Sequence, residues 1–236
     1  MPEFFDARRL AESRFNLIED LKRQGLLKSQ IVEESLNAIP REEFLWHGTP
    51  NFLAYEDEPL NLGDTGQTIS APHMVVIMLE ELGLASGMRV LEVGSGSGYN
   101  AALLGWIVSR GTKRSVLVTT VERNERLAQF ARSNIARLGL LDVVNVVVGD
   151  GSLGYPQAYD GELYDRIVVA AAPTKVPPLL KSQLKDRGLM LIPLGEIGGQ
   201  ILTKVEKVKE DDGNIGYWES KMMGCVFVPL VSASTV

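Results

Sequence analysis

The stretch V-L-E-V-G-S-G-S-G-Y, Val90 to Tyr99, decides how this chain is read. A short apolar run of strand type enters three alternating glycines, and N-A-A-L-L-G-W-I-V (Asn100–Val108) continues as an apolar helix. Strand, glycine-rich turn and helix start in that order present free backbone N–H groups, and glycine lets a ligand approach the main chain closely. A dinucleotide turn has the pattern G-x-G-x-x-G, which would set a glycine at position 99. Tyr99 stands there instead.

Outward from this turn the alternation repeats. A helix is expected over Pro72–Leu82, a strand over Met88–Val93, a helix over Asn100–Ser109 and a strand over Val116–Glu122. Asn124–Leu138 reads as a helix with Leu127, Ala131, Ile135 and Leu138 on one stripe. Val143–Val148 and Arg166–Ala171 read as strands, Pro178–Leu184 as a short helix and Leu189–Leu194 as another strand. Continuous β-branched runs separated by helices predict a mainly parallel, doubly wound α/β sheet covered on both faces.

The tail changes character: Ile201–Val208 alternates, D-D-G-N (Asp211–Asn214) is a turn signal, and C-V-F-V-P-L (Cys225–Leu230) reads as a strand, which predicts a terminal antiparallel pair. Two helices precede the sheet as an N-terminal extension. Leu10, Leu17, Ile18 and Leu21 share the first, stopped by Gly25; Ser29 caps a second carrying Ile31, Val32, Leu36 and Ile39, stopped at Pro40. Arg41–Gln67 has no period and reads as a long, functional loop. The expectation is a single domain over 1–236, with 1–70 forming helices and an acceptor-side loop and 71–236 a cofactor-binding core.

Composition narrows the function classes. A 45% hydrophobic and 23% charged chain can build a core, and no run reaches the ~18 uncharged apolar residues of a membrane span. The N-terminus carries acids without an uninterrupted apolar region, so a cytoplasmic protein without a secretory leader is expected. A net charge of −6 argues against a nucleic-acid backbone binder, and the Arg110, Lys113, Arg114 cluster reads as a solvated turn. The one cysteine, Cys225, excludes an internal disulfide and a multi-cysteine metal site, and reads as a buried small apolar residue. No metal site is expected.

Three acids close three successive strands. Glu92 lies two residues before the first glycine, Glu122 ends the next strand, and Asp150 follows the third in V-V-G-D-G. An acid at the turn suits a cationic ligand, and the spacing with Glu92, Gly94 and Gly96 is the variant associated with S-adenosyl-L-methionine. Glu122 can accept two ribose hydroxyls, and Asp150–Gly151 can hold an adenine amino group; open α/β sheets bind ligands at these strand ends. A Rossmann-like methyltransferase fold using S-adenosyl-L-methionine is therefore predicted.

The chain resembles the protein-L-isoaspartate O-methyltransferase family. The resemblance rests on A-Y-E-D-E-P-L (Ala54–Leu60), G-Q-T-I-S-A-P-H-M (Gly66–Met74), Val90–Tyr99, V-V-G-D-G (Val147–Gly151), Y-D-R-I-V-V-A-A-A-P (Tyr164–Pro173) and F-V-P-L (Phe227–Leu230), in order along nearly the whole chain. It implies a repair enzyme that methylates the α-carboxylate of L-isoaspartyl residues in damaged proteins and peptides. It further implies that Ser70 is the active-site hydroxyl, that Thr68, Ile69 and Ala71 line the acceptor site, and that His73, Ser95, Glu122, Arg123, Asp150 and Gly151 surround the cofactor. The chain departs from the family pattern at G-D-T-G-Q (Gly63–Gln67), at D-R-G (Asp186–Gly188) and in its tail V-S-A-S-T-V (Val231–Val236), which leaves the cover over the cofactor unassigned.

Read residue by residue, other roles compete. Ser70, two before Pro72, is a plausible helix cap, a role compatible with the catalytic one. His73 reads locally as an ordinary polar helix residue, His47 as structural, Met74 and Met78 as a core stripe, and Ala170–Pro173 as a strand end or an acceptor wall. A methyltransferase of RNA or small molecules and a non-catalytic S-adenosylmethionine-binding protein are the competing functions. A hydrolase is weaker, because no G-x-S-x-G elbow surrounds Ser70.

Overall fold

The computed structural model describes residues 7–113, 115–155, 163–209 and 214–231. Seven strands form the main sheet: β3 (Val90–Val93), β4 (Val118–Glu122), β5 (Val144–Val148), β6 (Tyr164–Val169), β7 (Leu184–Leu194), β8 (Ile201–Lys209) and β9 (Ile215–Gly224). Their order is β5-β4-β3-β6-β7-β8-β9. Pairings through β7 are parallel, and β7–β8 and β8–β9 are antiparallel. The first strand of the series is central, so the order reverses beside β3, and that reversal opens a crevice at the strands' carboxyl ends.

Burial follows the residue types. β3 and β4 are buried along their whole length, as β-branched central strands covered on two faces must be. α3 (Pro72–Leu82), α4 (Tyr99–Ser109) and α5 (Glu125–Arg137) follow the predicted periods. Pro72 at the first turn suits α3, since its missing N–H would have had no helical partner, and Gly83 ends it at φ +54°. On α5, Leu127, Ala131 and Ile135 are buried, and the Asn124 side chain caps the helix by accepting from the Arg126 and Leu127 N–H groups. α6 (Pro178–Ser182) is short, as expected. Among the described residues, no helix is long and apolar enough to cross a membrane.

α1 (Ala7–Arg23) and α2 (Gln30–Ala38) form the N-terminal extension. Ser29 occupies the cap position of α2, but its hydroxyl does not cap; Ser29 N, Ser29 Oγ and Lys28 N all converge on Glu80 Oε1 of α3 at 2.8–3.0 Å. The carboxylate outcompetes a hydroxyl as acceptor at a helix N-terminus and ties α2 to α3.

Arg41–Gln67 is not the structureless loop that its lack of period suggested. It contains single 3-10 turns at Arg41–Phe44 and Asn51–Tyr55 and the strand β1 (Leu60–Asn61), which pairs antiparallel with β2 (Thr68–Ile69). The tail also needs correction. The partner of β8 is Ile215–Gly224, a largely exposed edge strand whose polar residues hid it, whereas Cys225–Leu230 is no strand. That segment runs back across the sheet's carboxyl end and touches β6's extension through one bridge, Ala172 to Pro229. Cys225 is half-buried rather than fully buried, and Val226 beside it is 83% exposed. Arg114, Asp211–Gly213 and Ser232–Val236 lie outside the described residues.

Candidate active site

The site grows from the turn after β3. Gly94, Gly96 and Gly98 all have positive φ, which a side chain would resist. At Gly98 (φ +85°) a Cβ would also press on the Ala131 backbone of α5 at 3.1–3.2 Å, so this glycine sets the approach of α4 to α5. Gly151 serves a similar end at the close of β5, where a Cβ would fall 2.4 Å from Val93 Cγ1.

Two carboxylates are fixed around this turn. Glu92 is fully buried, accepting from Asn100 Nδ2 at 2.7 Å and from the Thr120 hydroxyl, which is also 2.7 Å from Ser95 Oγ. Burial pushes its carboxyl up to about 7, against the downward pull of these two donors. Glu122 accepts from Gly96 N at 3.1 Å and from Asn124 N at 3.0 Å, binding the turn to the end of β4. Each of its oxygens keeps a further lone pair for a ligand. Asp150 Oδ1 accepts from Ser152 N and Oγ at 2.9 and 2.7 Å, shaping the turn in which Gly151 lies.

The segment Gln67–Ala71, expected to form the acceptor side, comes from the N-terminal part and lies against the same turn. Thr68 is exposed, Ile69 and Ala71 are buried, and Ser70 lies between. Ser70 does not cap α3: Ala71 holds the cap position, and Asp57 does the capping from outside the helix. Asp57 Oδ1 accepts from His73 N at 2.8 Å and lies 2.9 Å from His73 Nδ1, fixing both helix start and imidazole. Among the described residues the Ser70 hydroxyl has no hydrogen bond, while its carbonyl accepts from Arg41 Nη2 at 3.0 Å.

One cavity of about 680 Å³ joins these parts, lined among others by Thr68, Ile69, Ser70, Ala71, His73, Glu92, Gly94, Ser95 and Gly96. A second, of about 370 Å³, is lined by Glu122, Arg123 and Gly151 and shares Gln67, Gly94 and Ala170 with the first. The sequence-predicted residues thus meet in one continuous site, except that Asp150 stands just behind the lining that Gly151 provides. Met74 and Met78 are core residues, as read, yet also face the first cavity. Ala170 lines both cavities. His47 packs edge-on against Phe130, consistent with a structural role.

The segment after β9 closes the site. Phe227 is held in both directions by the Gln200 side chain, its N–H donating at 2.6 Å and its carbonyl accepting at 2.9 Å. Val228 O accepts from Ala172 N at 2.8 Å, and Leu230 N donates back to Ala172 O at 2.9 Å. Met223–Pro229 line the first cavity and Val228–Val231 the second, where Arg123 Nη1 also donates to Val231 O at 3.1 Å. This strap lines both cavities, whereas Ser232–Val236 of the departing tail lie outside the described residues. Asp57, Thr120 and Gln200 carry no signal in the sequence because each acts through a partner 16 to 28 residues away, and Asn100 because its link to Glu92 crosses the glycine turn.

Comparison with known proteins agrees with this geometry. The family model for protein-L-isoaspartate(D-aspartate) O-methyltransferase matches residues 12–235. The chain is 46% identical over 224 residues to the protein-L-isoaspartate O-methyltransferase of Hyperthermus butylicus, covering 93% of this chain and 89% of the relative. It is 44% identical to that of Staphylothermus marinus, covering 94% and 96%. Among solved structures it is similar to a protein described as the Plasmodium falciparum protein-L-isoaspartate O-methyltransferase, in complex with S-adenosyl-L-homocysteine. The TM-score there is 0.77 at 28% identity, over 92% of this chain and 97% of that one. Another protein-L-isoaspartate O-methyltransferase structure gives 0.79 at 31% identity, over 93% and 66%. From turn, strap and these likenesses together, the chain belongs to the protein-L-isoaspartate(D-aspartate) O-methyltransferase family.

Proposed function

We propose that this protein transfers a methyl group from S-adenosyl-L-methionine to the α-carboxylate of L-isoaspartyl residues in damaged proteins and peptides. The observation that carries the reading is the single cavity in which the Thr68–Ala71 segment faces the Glu92–Ser97 turn. The donor set fits the cofactor. Positive-φ glycines leave room beside the main chain, Glu122 offers acceptors where a ribose diol would sit, and Glu92 offers an acid to an ammonium group. Gly94, Ser95, Gly96, Arg123, Asp150, Gly151 and His73 complete the proposed cofactor side.

When bound, S-adenosyl-L-methionine supplies a methyl group activated by a sulfonium. The acceptor needs no strong base, because a carboxyl of pKa about 4 is already ionised at neutral pH. What the chain must add is alignment, which can be worth ~7–11 kcal/mol. Ser70 Oγ, not engaged elsewhere among the described residues, donates to one carboxylate oxygen and leaves the other directed at the turn. Thr68, Ile69 and Ala71 hold the flanking chain, and the Phe227–Pro229 strap excludes water from one side. Isoaspartyl proteins and peptides are the proposed partners, and the cytoplasm the proposed place of action.

The test offers labelled S-adenosyl-L-methionine with an isoaspartyl peptide and its normal aspartyl twin. Transfer to the isoaspartyl peptide alone is the expected result. Transfer to neither refutes the activity, and equal transfer to both refutes the isoaspartyl selectivity.

A further inference from the structure

Arg41 carries a guanidinium into the interior directly behind the acceptor segment. The residue is 1% exposed. Its Nη1 donates to Ala54 O at 2.6 Å, and its Nη2 donates to Glu58 O at 3.1 Å and to Ser70 O at 3.0 Å. Its Nε has no partner among the described residues. Every acceptor it meets is a neutral carbonyl, although a buried cation is ordinarily paired with an acid. Asp57, the carboxylate that acts on it through space, spends its Oδ1 on His73. Burial lowers the Arg41 pKa, yet an arginine keeps its proton in a protein.

Tying carbonyls together does not by itself require a charge; a neutral primary amide could donate to two of the three without the cost of burying a cation. The cavity in front explains what the charge is for. Its lining contains no lysine or arginine, and its one acid is Glu92, yet the proposed acceptor is an anion. Arg41 donates into the Ser70–Ala71 peptide, whose N–H belongs to Ala71, itself a lining residue. A guanidinium on the carbonyl oxygen draws electron density toward that oxygen and leaves the peptide's far side, its N–H, more positive and a stronger donor to an anion.

We propose that Arg41 is a positioning residue that supplies the fixed positive charge behind Ser70, so that the cavity selects an acceptor bearing an ionised carboxylate. The assignment rests on the carboxyl-methylation reading, and the experiment separates the two. An isoaspartyl peptide and its α-carboxamide analogue are titrated into the full chain with S-adenosyl-L-homocysteine present, while transfer to the isoaspartyl peptide is assayed in parallel. The wild type is expected to prefer the carboxylate at least tenfold. Arg41→Met, of similar reach but uncharged, should bring that preference within twofold, with the S-adenosyl-L-homocysteine Kd changed less than threefold. Arg41→Lys should keep the preference although it loses the fork and melts lower. A purely structural arginine would move the melting temperature and leave the carboxylate-to-carboxamide ratio alone.

A wild-type ratio below twofold overturns the assignment, as does a folded Arg41→Met that retains the wild-type ratio. Should Arg41→Met not fold, Arg41→Gln, uncharged but still a donor, takes its place: a folded glutamine variant that retains the wild-type ratio overturns the assignment, as does a folded lysine variant without the preference. A wild type that transfers no methyl to the isoaspartyl peptide removes the functional reading and this assignment together; transfer with an unchanged ratio removes the assignment alone.

Discussion

The two halves of the site are held in opposite ways. On the cofactor side, side-chain carboxylates reach from buried strand ends to fix the backbone: Glu122 binds the N–H groups of Gly96 and Asn124, and Glu92 lies among Asn100 and Thr120. On the acceptor side the backbone is the acceptor and a side chain the donor, with Arg41 gathering the carbonyls of Ala54, Glu58 and Ser70. The first half sits on a parallel sheet, and the second is a two-residue strand pair imported from the N-terminal part. A cationic cofactor is thus offered acids from a rigid edge, and an anionic acceptor a positive setting on an added segment.

If the halves act separately, variants should separate them too. Ser70→Ala should produce the largest effect, a fall in turnover of about 10²-fold, the scale of losing one aligned donor, with cofactor affinity within a few-fold. A comparably large change in cofactor Kd would break the division. Glu122→Ala should do the reverse, weakening cofactor binding by tens of fold, as losing charged hydrogen bonds of ~1.5–3 kcal/mol implies. Equilibrium titration measures it, and an unchanged Kd would remove Glu122 from the ribose site.

Glu92 gives a smaller, pH-dependent effect. With its folded pKa raised to about 7, the free protein binds a proton here more tightly than the unfolded chain does. This group's contribution to stability is therefore fully present below the ordinary carboxyl pKa and is lost as pH rises through about 7. Ionisation of Glu92 favours an ammonium ligand, so cofactor Kd should fall several-fold between pH 5.5 and pH 7, before an α-amino group of pKa about 8 titrates. Glu92→Gln should flatten both dependences; a variant that keeps the wild-type slope in calorimetric titrations would assign it elsewhere. Asp57→Ala should cost least, about 1 kcal/mol for a lost helix cap, or a drop of ~2–4 °C in Tm. A cofactor Kd that moved more than that stability change would join the halves through His73.

Much of the cofactor half was legible because its determinants are local. The runs at Val90–Val93 and Val118–Glu122 are buried on both faces and carry the β-branched pattern such strands require, while Val144–Val148, at the sheet's edge, keeps that pattern and buries Val144 and Val146. The acceptor half was legible only through the Thr68–Ala71 motif, since its support comes from Arg41 and Asp57, placed by turns without a period. β9 escaped because an exposed edge strand such as Ile215–Gly224 has no buried face to impose alternation. Cys225–Leu230 misled for the opposite reason: its apolar residues face a cavity and a strap contact rather than a ladder. Ser29 and Ser70 both read as caps in the sequence; Asp57 caps α3 in place of Ser70, and Glu80 takes the Ser29 hydroxyl together with the N–H groups just before α2.

The hold of Gln200 on Phe227 has a consequence for the order in which the molecule is made. The strand ends that carry Glu92, Glu122 and Gly151 are in place once β5 has emerged, but walls of both cavities come from residues 223–231, the end of β9 and the strap after it. During synthesis there is accordingly an interval in which both cavities lack that wall, and the docking of Phe227 on Gln200 completes them together.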